Sequence, residues 1–285
     1  MRPLHFAYNL SAFCLSLGGL PLAWCHAGSS GRRQAVLAQR LGYAPTGISD
    51  ALRQRPRVWM HAVSVGEVKA AQAIVRALDA DTSTTLSILL TTTTATGQRY
   101  ARHILGQRAV VRYAPLDLWS ATGRFLSAYQ PDLLACLETE IWPNWIFRAH
   151  GGGMKTVFLN GRLSERSIRS YRRLRPFLAP VLGKVDAFSM ISATDARRMI
   201  DLGAPRERVE VNGNAKMDLV DEALDDGMID TYRSIFGVDA GTPVWVAGSI
   251  RGSEATILMD VYARLTARFV ECVEWRPGFQ PVGKN

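Results

Sequence analysis

Three glutamates carry most of the chemical interest of this chain. Glu67 closes the run VSVGE (Val63 to Glu67), where an apolar strand pattern passes into a helix pattern. Glu138 and Glu140 lie in LETEIWPN (Leu137 to Asn144), again at the end of an apolar strand run. Carboxylates at the carboxyl ends of strands in a βα-alternating chain sit where such folds hold their ligands. A buried carboxylate is also costly unless it is paired or used. Gly66, at the strand-to-helix turn, lets the backbone pass close to a ligand. Two readings of Glu67 stay open. An acid at a helix start complements the helix dipole, worth about 0.3–1 kcal/mol. The same position favours the ionised carboxylate, which suits a group that must accept a proton near neutral pH. Alternation along an extended chain predicts Glu138 and Glu140 on one side with Thr139 opposite. Pro143 is placed to begin a helix, so a cap with a solvated acid is an equally simple account of that motif.

Other segments could serve the same chemistry. The threonine run TTTTATG (Thr91 to Gly97) could offer hydroxyls and backbone N–H groups to an oxyanion, or act as a helix cap. NGRLSERS (Asn160 to Ser167) leads into a stretch from Arg162 to Lys184 with Arg162, Arg166, Arg169, Arg172, Arg173 and Arg175, and Glu165 as its one acid. Such a face is either solvated or a surface for phosphate or anionic lipid. Aromatic interleaving is thin there (Tyr171, Phe177), which disfavours a nucleic-acid groove. VNGNAKMD (Val211 to Asp218) places Lys216 in a loop after a strand and, taken alone, is an ordinary turn.

The elements that must hold these residues alternate strand and helix. Strands are predicted at Arg57–Val63, Thr84–Leu90, Ala109–Tyr113, Asp132–Leu137, Lys155–Asn160, Asp186–Ser192 and Arg208–Asn212. Helices follow at Glu67–Ala80, Trp119–Tyr129, Pro143–His150, Glu165–Leu182 and Thr194–Leu202, and the polar loop Thr91–Gly97 opens a further helix to about Leu105. This spacing implies a Rossmann-like α/β domain, a parallel sheet covered on both faces. A second unit begins near Pro243, with a strand at Val244–Ala247 and a helix at Ser253–Phe269. Residues 271–285 then lose all periodicity. A single βα unit cannot bury its own apolar face, so the chain reads as cut off. The division expected is 1–31 anchor, 32–56 basic linker, 57–218 Rossmann-like domain, 219–270 start of a second domain and 271–285 aberrant tail.

With 285 residues and 47% hydrophobic content, the chain can bury a sizeable core. A formal net charge of +9 points to anionic partners without choosing among them. The four cysteines form no CxxC pair and the five histidines no helix-spaced pair. A reducing compartment is expected, and a protein metal site is not. From Pro3 to Gly31 there is no charged residue. Leu4–Cys25 is about as long as the roughly 20 residues needed to cross a bilayer, though His5, Asn9, Ser11, Ser16 and Pro21 interrupt it. An uncleaved anchor is the leading expectation, a shallow interfacial helix and a cleaved signal peptide the alternatives. The arginines that follow would keep the main domain cytoplasmic.

Taken in order, the N-terminal segment, HAVSVGE, TTxTxTG, LETEIWPN, NGRLSERSxRSY and GNxKxD resemble the bacterial 3-deoxy-D-manno-octulosonic acid (Kdo) transferases of lipopolysaccharide assembly. The resemblance runs to about Phe269. It implies a GT-B architecture of two Rossmann domains and an inverting, metal-independent transfer of Kdo from CMP-Kdo to a lipid A precursor at the inner membrane. It further implies Glu67 as general base, and Glu138 and Lys216 as transition-state stabilisers. Ser64, Gly66, Thr92, Thr94, Arg162, Ser164 and Arg166 fall on the acceptor side. No cofactor is implied; the partners are CMP-Kdo, the lipid acceptor and anionic inner-membrane lipids, not nucleic acid.

The chain departs from that family after its second βα unit begins. Members continue with an Arg-His-Pro segment and glycine-rich loops for the CMP group, whereas this chain reads WRPGFQPVGKN and ends. Ser249 to Glu254 (SIRGSE) keeps part of the pattern just before. A largely missing donor site is therefore expected, through a truncation or frameshift near Phe269–Cys272. A membrane-bound acceptor-binding remnant and another GT-B transferase acting on lipid-linked sugars are the alternatives to an active Kdo transferase.

Overall fold

The computed structural model describes residues 3–27, 31–45, 52–81, 85–219, 226–238, 247–248, 250 and 252–268. The chain divides into two compact units, Met1–Asp221 and Glu222–Asn285.

The first unit opens with two helices, α1 (Pro3–Ala27) and α2 (Gly31–Arg40). Strand and helix then alternate: β1 Arg57–His61, α3 Val65–Ala80, β2 Ser87–Thr92, α4 Ala95–Leu105, β3 Ala109–Tyr113, α5 Trp119–Tyr129 and β4 Leu133–Leu137. There follow α6 Pro143–Gly151, β5 Lys155–Gly161, α7 Glu165–Arg173, α8 Arg175–Leu182, β6 Ala187–Met190, α9 Ala193–Leu202 and β7 Val209–Val211. A short 3-10 turn, Ala215–Leu219, ends the unit's described part. The seven strands form one sheet in the order β3-β2-β1-β4-β5-β6-β7, every pair parallel. This is the α/β architecture that the alternation predicts.

The central strands are buried on both faces, so successive side chains feed two cores. Val58 and Met60 of β1, Ile88 and Leu90 of β2, and Ala135 and Leu137 of β4 meet α3 and α4 through Val68, Ala71, Val75 and Ala101. Trp59, Leu89, Leu134 and Cys136 point the other way, to Phe125, Tyr129, Trp145, Val181 and Met199. Trp59 anchors this second core: its ring lies 4.5 Å from that of Phe125 and 4.8 Å from that of Trp145, and its indole donates to Thr91 Oγ1 at 2.8 Å. Truncating it to Ala would cost about 3–5 kcal/mol.

Two expectations need correction. The second strand is Ser87–Thr92, so Thr91 and Thr92 belong to the strand and not to the following loop. The hydroxyls of these β-branched residues find buried partners, which lets the strand continue inward. Secondly, a membrane-crossing anchor is not supported: no helix of the described residues is long and apolar enough to cross a membrane. Of the polar side chains that interrupt α1, Asn9, Ser11 and Ser16 bond to carbonyls of the helix itself, while His5, together with Tyr8, docks on the domain. His5 Nε2 lies 2.9 Å from Asn144 Oδ1, and Tyr8 donates to Asp117 at 2.7 Å.

The second unit's described helices are α10 (Asp226–Phe236) and α11 (Glu254–Arg268). The strand expected at 244–247 falls mainly, and the 271–285 tail wholly, outside the described residues, as do Ser249 and Arg251 of SIRGSE.

Candidate active site at the ends of β1 and β4

β1 and β4 are neighbours, and the order of connection reverses between them: one half of the sheet runs β1-β2-β3 and the other β4 to β7. Loops leaving the carboxyl ends of these two strands diverge, and the crevice between them is where open α/β sheets bind ligands. Glu67 follows β1 and Glu138 and Glu140 follow β4.

Glu67 stands in the first turn of α3, whose N-cap is Ser64. Its Oε2 accepts from the Val63 N–H at 2.7 Å, and Ser64 Oγ donates to Oε1 at 3.3 Å. The spacing is that of a capping box, but neither of its two bonds forms: the Ser64 hydroxyl caps no backbone N–H, and the acid accepts from the residue before the N-cap. A solvated cap would be stabilised as the anion. Burial instead pushes Glu67 up to about 7, with the charges of Glu140 and Glu138 adding to the rise and the Val63 and Ser64 hydrogen bonds opposing it. The residue is 8% exposed. It ties the chain entering α3 to the helix's first turn and is also poised to exchange a proton at neutral pH.

The threonine loop holds the peptide that holds Glu67. The Val63 carbonyl accepts from the N–H groups of Thr93 (3.3 Å) and Thr94 (3.1 Å) and from Thr94 Oγ1 (3.1 Å). Thr94 Oγ1 in turn accepts from Gly97 N at 3.0 Å, capping α4. A Cβ on Gly97 would lie 2.8 Å from that hydroxyl and 3.1 Å from the Val63 carbonyl, so only glycine lets the two loops meet. Thr92, expected on the acceptor side, is fully buried and its hydroxyl is spent on Gln98. It supports the site from beneath and presents nothing to a ligand. Gly66 is exposed; a Cβ there would face Lys216 Nζ at 3.8 Å and Ser64 Oγ at 3.9 Å, in the space among the polar groups.

Lys216, an ordinary loop lysine by sequence, joins the cluster. Its Nζ donates to Glu138 Oε1 at 2.7 Å. Glu138 has a left-handed backbone, φ 55°, so the alternation predicted for Glu138, Thr139 and Glu140 does not hold; the chain turns at the strand end. Thr139 donates instead to the Arg162 carbonyl, tying the two motifs together. Burial raises Glu140, assisted by Glu138 and offset by the Trp142 indole.

Arg162 and Arg166 are exposed and, with Arg173, have no ion-pair partner among the described residues. Arg169 and Arg172 are paired with Glu165 and Asp201. Ser164 caps α7, its hydroxyl accepting from Ser167 N at 3.1 Å. Among the described residues no group of three His, Cys, Asp or Glu could hold a metal ion.

Some supporting residues escaped the sequence reading. His61, one of the scattered histidines, is fully buried beneath the site; burial drives it down to about 3, so it is neutral. Asp195 accepts from Leu163 N at 2.7 Å and fixes the RLSE loop. Asn160 accepts from Ala215 N at 2.9 Å and holds the Lys216 turn. Only Asn160 had a signal, an Asn-Gly pair at a strand end, where left-handed backbone is common.

A family model described as 3-Deoxy-D-manno-octulosonic-acid transferase (kdotransferase) matches residues 35–219. A 3-deoxy-D-manno-octulosonic acid transferase of Haemophilus influenzae is 33% identical over 256 residues, covering 87% of this chain and 58% of that protein. The transferase of the same name from Bordetella pertussis is 31% identical over 264 residues, covering 90% of this chain and 60% of its own length. This chain therefore spans about three fifths of those two relatives. Among solved structures, the UDP-GlcNAc 2-epimerase of Methanocaldococcus jannaschii gives a TM-score of 0.49 at 10% identity, covering 78% of this chain and 66% of that one. The matched segment contains Glu67, Glu138, Lys216 and every loop that positions them, and by that match the chain belongs to the 3-deoxy-D-manno-octulosonic-acid transferase family.

Proposed function

We propose that this chain carries the acceptor side of a glycosyl transfer in lipopolysaccharide synthesis, moving Kdo from CMP-Kdo to a hydroxyl of a lipid A precursor. Glu67 takes the proton of the acceptor hydroxyl. The oxygen attacks the anomeric carbon of Kdo from the face opposite the phosphate, one C–O bond forms, the bond to phosphate breaks, and CMP leaves. Lys216 offsets charge on the departing phosphate, and Glu138 the cationic character of the sugar. The whole is of the GT-B type, with the donor held by a second Rossmann domain and no metal taking part. The observation that carries this reading is the Glu67 carboxyl, raised to about 7 in the switch-point crevice, which matches a general base working at neutral pH.

Arg162, Arg166 and Arg173, exposed and unpaired among the described residues, are the surface we assign to the acceptor's phosphates. Beyond its docked residues α1 exposes Leu4, Phe6, Leu10, Phe13, Leu15 and Leu17. This favours an interfacial helix lying on anionic lipids at the cytoplasmic face of the inner membrane.

The test is transfer of labelled Kdo from CMP-Kdo to lipid A precursor, with acceptor binding measured in parallel. Turnover that falls about 10²–10⁴-fold in Glu67→Gln supports the reading. Turnover that survives the substitution removes Glu67 as the base. Acceptor binding without turnover would make this chain an acceptor-binding protein.

A further inference from the structure

Two non-glycine residues at the ends of adjacent strands share a conformation that L-residues avoid. Glu138 has φ 55° and Asn160 has φ 54°. Leu137 of β4 and Leu159 of β5 are register partners, and Glu138 N donates to the Leu159 carbonyl at 3.0 Å, so the strained residues stand side by side. Left-handed backbone is unfavourable for residues with a side chain and persists where the surroundings impose it. Both side chains reach the same target. Glu138 accepts from Lys216 Nζ at 2.7 Å, and Asn160 Oδ1 accepts from Ala215 N at 2.9 Å. Asn160 is 5% exposed, so that bond is shielded from water. Asn214 Oδ1 then accepts from Lys216 N at 3.2 Å, tightening the turn at its start.

We infer that Asn160 is the positioning residue for Lys216. It pins the backbone one residue before the lysine to the end of β5, so that the four-carbon side chain reaches the end of β4 and lies over Gly66. Lysine alone is a flexible point charge; a fixed backbone anchor turns it into a directed one. Asn suits the position twice over, because it tolerates left-handed backbone and carries an acceptor short enough to meet the Ala215 N–H. The inference rests on the reading of Lys216 as a group of the transfer site, but its test does not need turnover.

The experiment compares Asn160→Asp, Asn160→Ala and Asn160→Gly in the full chain. The readout is acetylation of Lys216 by a small amine-reactive ester, followed by mass spectrometry with exposed Lys69 as internal reference. Ala and Gly should speed Lys216 labelling relative to Lys69 about fivefold, the shift that losing one ordinary hydrogen bond gives. Asp keeps both the acceptor and the backbone preference and should label as the parent does. The glycine variant relieves the left-handed strain and should melt no lower than the alanine variant, so a stability loss cannot by itself explain faster labelling in Gly. Unchanged Lys216 labelling in folded Ala and Gly variants overturns the inference, as does an Asp variant that labels like Ala. If Ala and Gly both fail to fold, Asn160 is a determinant of folding and the inference also falls. Where the parent turns over, kcat should drop in Gly with acceptor KM unchanged. A parent without turnover counts against the proposed function and leaves the labelling result standing.

Discussion

Lys216 Nζ donates to Glu138 Oε1 at 2.7 Å, joining the end of β4 to a turn that follows β7, three strands away across the sheet. The pair is partly exposed, at 30% and 26% for the two side chains, so its direct worth to stability is small. Its consequence is electrostatic: Glu138 is one of the two charges that raise Glu67, and Lys216 holds it partly neutralised. Lys216→Met should therefore raise the Glu67 carboxyl above its present value of about 7. NMR titration of labelled glutamate carboxyls checks this, and no upward movement would uncouple the pair from Glu67.

Removing the larger of the two raising charges should act in the opposite direction. Glu140→Gln is expected to lower the Glu67 carboxyl, moving the acidic limb of any pH–rate profile toward lower pH. The same glutamate titration reads the shift where no rate can be measured.

Glu67 also makes stability depend on pH. Its folded carboxyl binds a proton more tightly than the unfolded one, so the native state holds more protons between about 4.5 and about 7. Stability then falls as pH rises through that window. Glu67→Gln keeps an acceptor for the Val63 N–H and removes the buried charge. The variant should melt above the parent at pH 8 and lose that advantage below about pH 4.5. Equal melting differences at both ends would contradict the burial argument.

The docking of α1 is a separate matter of buried polar groups. Asp117 accepts from Tyr8 at 2.7 Å, Asn144 N at 3.2 Å and Trp145 N at 3.1 Å, and burial pushes its carboxyl up to about 6 despite these bonds. Tyr8 also packs against Phe177 in a tilted pair, with ring centroids 5.3 Å apart. Tyr8→Phe should cost about 1 kcal/mol of α1 docking, and Asp117→Ala about 3 kcal/mol, since two buried N–H groups at the start of α6 lose their partner. Limited proteolysis within α1 should speed up in that order.

Charge at α7 and in the loop before it bears on ligand binding. Reversing Arg162 and Arg166 to Glu should weaken lipid A precursor binding about tenfold or more, with a reduced salt dependence, and leave CMP-Kdo binding unchanged. Loss of donor binding with the acceptor unaffected would assign these arginines elsewhere.

The order of elements in the domain was legible in the chain because its signals are local. The runs at 57–61, 109–113 and 155–161 are apolar strands between amphipathic helices, and Pro143 begins α6 as its fixed φ predicts. Strand ends were less legible. Thr91 and Thr92 look like polar loop and lie in the sheet, because Trp59 and Gln98 supply partners that no local pattern encodes. The uncharged run 3–31 resembled a membrane span, whereas His5 and Tyr8 dock it on residues more than a hundred positions away.

Residue types and spacing by themselves determined an α/β chain with acids at two strand ends and the motif set of one transferase family. Only the tertiary structure decided that Glu67 is a raised carboxyl, because its proton affinity depends on burial and on Glu140 and Glu138, which follow another strand. Only it turned Lys216 from a surface lysine into the partner of Glu138, in a turn whose Ala215 N–H donates to Asn160 Oδ1. Helix and strand propensity is written in near neighbours along the chain. Desolvation and charge pairing are set by neighbours in space, which appear only when β1, β4 and β5 lie side by side.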